Sequence, residues 1–205
     1  MTEKINQTEE HRDDFAAKLG MWIFIFTELL LFGGLFLVYS VFRFAHPREF
    51  HQAALELNVT FGAVNTVVLL FSSMTVAMSL TALQKNNKKL SMRLLFLTIV
   101  LAFVFLVNKY FEWGVKFREG LYPGSDLMFK LEHGQLLYFS LYFFMTGLHA
   151  LHIIVGMTIL SIILYRINKG TVNPGKYVFL ENGALYWHLV DLIWIFLFPL
   201  LYLIT

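Results

Sequence analysis

Ionisable side chains appear in this sequence where the chain is otherwise greasy enough to cross a lipid bilayer. The stretch ENGALYWHLVDLIWIFLF, from position 181, carries Glu181, His188 and Asp191. The stretch FFMTGLHALHIIVG carries His149 and His152, three residues apart and sharing a helical face with Tyr138, Tyr142, Met145 and Gly156. Two histidines at that spacing could ligate a metal, but no Glu-x-x-His pair or third histidine accompanies them at helical spacing. Hydrogen bonding between helices is the reading their spacing favours. A charged side chain at the middle of a bilayer costs about 3 kcal/mol even on lenient insertion scales, so these groups must face other helices. His188 and Asp191, also three apart, can satisfy one another through a hydrogen bond or ion pair, with His149, His152, Glu112 and Glu28 as further partners. Glu181 falls at the entry to the membrane, where hydration costs little.

Three more sites carry chemistry. MWIFIFTELLLFGGLFLVYS buries Glu28, with Gly33 and Gly34 leaving room beside it. Glu28 reads either as a protonated carboxyl bonded to a neighbouring helix or as a proton-active or headgroup-associated group. In VNKYFEWG, Lys109 and Glu112 are three apart and form a structural ion pair near the membrane interface. Gly62, Asn65, Ser72 and Ser79 line one helical stripe, the pattern that lets two membrane helices approach closely.

The elements that must position these residues are helices. Of 205 residues, 58% are hydrophobic and 15% charged, more apolar than one soluble core requires. A hydrocarbon core about 30 Å thick needs about 20 mostly apolar residues as helix. Five stretches qualify: 19–44, 59–83, 90–113, 134–167 and 178–204. Only helices and closed barrels satisfy their backbone in lipid, so an all-α integral membrane bundle is expected. The connections FAHPREFHQ, QKNNKK, REGLYPGSD and NKGTVNPGK break the spans with Pro, Gly, Asn or clustered charge. Residues 1–18 read as a polar cytoplasmic tail and 19–205 as one membrane domain. A cytoplasmic N-terminus puts ten of the sixteen Lys and Arg on the inner side. Trp22, Tyr39, Trp113, Tyr122, Tyr165 and Tyr202 read as interfacial anchors. With no cysteine, disulfides and thiolate metal sites are excluded, and any metal would use His or carboxylate. A formal charge of +2 gives no footing for nucleic acid.

Trp22 and Glu28 in MWIFIFTELLLFGGLF, Asn65 with the serines of NTVVLLFSS, Glu112 in KYFEW, TGLHALHIIVG and ENGALYWHLVDLIWIFLF stand together in an order and spacing that resembles the subunit III family of heme-copper oxidases. The resemblance covers about positions 15–205 and is nearest to the short five-helix bacterial form. It implies an accessory subunit of a proton-pumping respiratory terminal oxidase in the bacterial cytoplasmic membrane. Such a subunit packs on subunit I, holds phospholipid in a cleft and sustains proton uptake during aerobic electron transport. It implies no heme or copper in this chain, those centres lying in subunits I and II, and a further neighbour in a small subunit IV. Glu28 matches the family's buried carboxylate near the lipid cleft, which reacts with hydrophobic carbodiimides. Asn65, Glu112, His149, His152, Glu181, His188 and Asp191 match inter-helix polar positions with structural roles, and no catalytic residue is implied. Three other readings stand beside this one. Related five-helix chains accompany nitric oxide reductases or quinol oxidases; a membrane cytochrome would use His149, His152 and His188 as axial heme ligands; a proton-coupled transporter would use Glu28 and Asp191. The transporter lacks support from inverted repeats or mid-span Pro and Gly breaks.

Overall fold

The computed structural model describes the backbone of residues 2–203 and the side chains of residues 14–203. It is all-helical: α1 (Thr2–Ala45), α2 (Pro47–Leu55), α3 (Val59–Gln84), α4 (Lys88–Arg118), α5 (His133–Lys169) and α6 (Val178–Tyr202), with a 3-10 turn at Met128–Lys130. Among the described residues five helices are long and apolar enough to cross a membrane: α3 to α6 and the Asp14–Ala45 part of α1. They run alternately up and down, each joined to the next at one end of the bundle.

The helix ends have local causes. Asn58 accepts from the Thr60 backbone N–H at 2.9 Å and starts α3; Asn87 accepts from Leu90 N–H at 3.1 Å and starts α4. α5 ends at Gly170, whose φ of 81° lies in the left-handed region that a side chain disfavours. The connection FAHPREFHQ is not simply a polar break. Pro47 opens α2 at its first turn, where a missing N–H costs nothing. Phe50, Ala53 and Ala54 form its buried face. Phe50 packs edge-on against Tyr39 and Tyr138, with centroids 5.4 and 5.5 Å away.

α6 is the central element and packs against α3, α5 and α1. Of its most apolar 18 residues 56% are buried within the bundle, against 11% for α1, which lies at the periphery. Two fully buried tryptophans fasten α6 to α3: Trp187 Nε1 donates to Ser72 Oγ and Trp194 Nε1 to Thr66 Oγ1, each at 3.0 Å. α3 and α4 are joined by Asn108 Nδ2 donating to Asn65 Oδ1 at 2.9 Å, by Thr75 and Thr98 hydroxyls at 2.8 Å, and by Ser79 and Ser91 hydroxyls at 3.0 Å. The small residues of α3 thus do what small residues do between membrane helices, bringing two backbones close with hydroxyls to spare. Tyr39 and Tyr202 correct the interfacial reading. Both are interior, and Tyr39 donates its hydroxyl to the Leu200 carbonyl at 2.6 Å, tying α1 to α6.

Between α5 and α6 the approach depends on Gly156. A Cβ there would lie 2.8 Å from two Trp187 ring carbons and 3.1 Å from Tyr186. Gly156→Ala should cost about 1–3 kcal/mol through overpacking. Gly147→Ala, whose nearest side-chain atom would be 3.7 Å away, should be neutral or stabilising. The midpoint of heat-induced unfolding in mild detergent distinguishes the two; equal midpoints would reject the close-packing account.

Candidate functional site

The polar residues expected to form one inter-helix network fall into separate sites. The first joins α1 to α5 near mid-span. His152 Nε2 lies 2.9 Å from Glu28 Oε2, and His152 Nδ1 lies 2.7 Å from the Leu148 carbonyl. A carbonyl only accepts, so Nδ1 carries a proton. Nε2 then either accepts from a protonated Glu28 or donates, as imidazolium, to its carboxylate. Both descriptions contain the same number of protons, one of them shared between Glu28 and His152. The side chains are 14% and 12% exposed, partly shielded by Phe32 edge-on to the imidazole at 5.3 Å. Apolar grooves flank the pair along α1: one of about 190 Å³ beside Leu29, Gly33, Leu192 and Phe196, another of about 400 Å³ beside Phe24, Val155, Ile159 and Tyr186.

The second site is the most enclosed. Lys109 and Glu112, one turn apart on α4, are 3% and 5% exposed with Nζ to Oε2 at 3.1 Å. Lys109 Nζ also donates to Tyr202 OH at 2.8 Å and to Tyr142 OH at 3.3 Å. Tyr142 OH donates to Glu112 Oε1 at 2.6 Å, and Tyr202 OH donates to the same oxygen. The ammonium therefore has three acceptors and the carboxylate three donors, the condition under which a buried ion pair is tolerated. Nζ also lies 5.2 Å from the Trp194 ring centre. This cluster joins α4, α5 and α6. The i,i+3 spacing pointed to the ion pair, but nothing in the sequence pointed to the tyrosines that complete it or to its burial within the bundle.

His149 departs from expectation. It is fully buried, yet neither ring nitrogen has a hydrogen-bond partner among the described residues. Trp194 stacks on its ring at 5.2 Å and Phe105 meets it edge-on at 5.6 Å. His149 and His152 thus take different directions, one into the aromatic interior and the other toward α1. His188 and Asp191 form no hydrogen bond with each other. His188 Nδ1 pairs with Ser73 Oγ of α3 at 2.6 Å, and Asp191 is buried with the same Ser73 beside it. At one membrane end, Glu181 pairs with Lys18 of α1 at 2.9 Å. Among the described residues no three His, Asp or Glu side chains converge as a metal site requires.

The sequence model of the family described as cytochrome c oxidase subunit III matches residues 6–205. The chain belongs to that family. Cytochrome c oxidase subunit 3 of Thermostichus vulcanus is 29% identical over 98% of this chain and 92% of its own length. Cytochrome bo(3) ubiquinol oxidase subunit 3 of Pseudomonas putida is 28% identical over 91% of this chain and 84% of its own length. A heme-copper oxidase subunit I+III of Aeropyrum pernix is 31% identical over 90% of this chain, which spans only 22% of that longer protein. As a subunit III of multi-pass form, the chain has a buried interior built from helix-to-helix fasteners.

The Lys109 site sets a stability test. Lys109→Met leaves Glu112 buried without its cation and should cost about 3–5 kcal/mol. Lys109→Met combined with Glu112→Gln should be more stable than Lys109→Met alone, because the uncompensated charge is gone. Thermal unfolding of the three proteins in detergent reads this directly; a double variant weaker than the single one would contradict it.

Proposed function

We propose that this chain is the accessory subunit III of a proton-pumping respiratory terminal oxidase, packing on subunit I, holding phospholipid and sustaining proton uptake. The observation that carries this reading is the family match across residues 6–205. The Aeropyrum relative, whose name joins subunits I and III in one chain, supports subunit I as the neighbour. Heme and copper then reside in subunits I and II, with a small subunit IV as a further neighbour, and this chain takes no direct part in electron transfer. The apolar grooves beside Glu28 and His152 suit acyl chains, which supports the lipid role. The bias of Lys and Arg favours a cytoplasmic N-terminus, with residues 1–18 as an inner tail and residues 19–205 in a bacterial inner membrane. A membrane cytochrome is the weaker reading, because His149 would have to offer iron a nitrogen through the rings of Phe105 and Trp194.

Purification through a tag on this chain in mild detergent tests the reading. Heme bands should arrive only together with larger partner subunits; heme on the isolated chain would overturn it. If Glu28 supports rather than performs the reaction, Glu28→Gln should leave initial oxygen reduction near the wild-type rate. Complete loss of electron transfer in a fully assembled complex would give Glu28 a direct part instead.

A further inference from the structure

His188 has a hydrogen-bonding atom that nothing among the described residues satisfies. It lies ten residues into the 25-residue α6, at a depth where hydrocarbon offers no partner. Its Nδ1 is engaged with Ser73 Oγ. Its Nε2 has no hydrogen bond among the described residues, and it is not sealed inside the bundle as the two nitrogens of His149 are. The half-buried ring therefore presents Nε2 outward along the seam between α3 and α6. The Ser73 hydroxyl can donate to Nδ1 or accept from it, so Nε2 is the ring's remaining acceptor or donor, and in either role it needs a partner. Asp191 is buried on the same helix, beside the same Ser73.

The other outer faces treat polar groups differently. Thr27 and Ser40 of α1, and Thr158 and Ser161 of α5, each donate to a carbonyl of their own helix, as hydroxyls facing lipid can. The outer face of α4 presents Phe96, Phe103 and Phe111, each about 60% exposed. The ring cannot turn Nε2 back onto its own backbone in this geometry, because Nδ1 is already held toward α3. A lipid tail leaves that nitrogen unpaired; a protein helix with a hydrogen-bonding side chain does not.

We propose that the α3–α6 seam centred on His188 docks against a transmembrane helix of a neighbouring oxidase subunit, which presents to Nε2 of His188 a side chain that hydrogen-bonds it at mid-membrane depth. This rests on the reading of the chain as an oxidase subunit and adds which face makes the contact and through which atom. Ser73 holds the imidazole in the orientation that the partner meets.

The test places a photo-cross-linking amino acid at Leu70, exposed on α3 one turn from Ser73, and at Phe103 on α4 as the control, within the whole oxidase expressed in its membrane. Illumination should join the seam position, and not Phe103, to a larger oxidase subunit. His188→Phe keeps an aromatic ring and loses the hydrogen-bonding nitrogen; it should lower recovery of the complex through this chain by roughly fivefold, the value of one hydrogen bond. His188→Gln, whose amide can donate or accept, should restore most of it at equal chain levels in the membrane. Protein adducts from Phe103 with only lipid adducts at the seam would overturn the proposed face while leaving the accessory-subunit reading intact. Recovery of no oxidase subunit by the wild-type chain would overturn both.

Discussion

Hydrocarbon makes no hydrogen bonds, and the interior of this bundle is arranged around that constraint. Each polar side chain in a span must be met by its own helix or by another one. The outward hydroxyls take the first route. The buried groups take the second, and in doing so they decide which helices touch. Two indole N–H groups bind α6 to α3, amide and hydroxyl pairs bind α3 to α4, and the Lys109 cluster draws α4, α5 and α6 together. Peripheral α1 is held by the Glu28 contact with His152 and the Tyr39 contact with the Leu200 carbonyl.

These contacts differ in how completely they are satisfied. The Lys109 cluster is closed, with every donor and acceptor used in a nearly dry site. His149 is the opposite, a polar ring treated as an aromatic one, its packing supplied by Trp194 and Phe105. Dispersion and ring geometry then offset desolvation that no hydrogen bond answers. The outward nitrogen of His188 marks a third kind of site, one left incomplete among the described residues. Gradation of this sort suits a protein whose interior must stand as a unit while one face is finished by another molecule.

The five spans and the breaks between them were legible because length and hydropathy are properties of a single stretch. The family, too, could be recognised from its motifs. Pairing was not legible, because it joins stretches far apart: Glu28 and His152 are 124 residues distant. Direction around the helix axis was only coarsely legible. His149 and His152 are about 60° apart on a helix, enough for one to face α1 and the other the interior. Tyr39 and Tyr202 sit near span ends, where tyrosine usually marks the interface, but distance from an end says nothing about which way a ring points. α2 was hidden by Pro47 and the charges around it, although Phe50, Ala53 and Ala54 carried the i, i+3, i+4 spacing of a buried face.

The long separation between Glu28 and His152 also has a consequence in time. A nascent chain grows at about 5–20 residues per second, so the carboxyl of α1 waits roughly 6–25 seconds before its histidine is made. Over that interval α1 is in the membrane or its insertion machinery with an unanswered acid at mid-span. The first helix of the bundle therefore waits longest for its polar partner, and its retention until then depends on factors outside the finished fold.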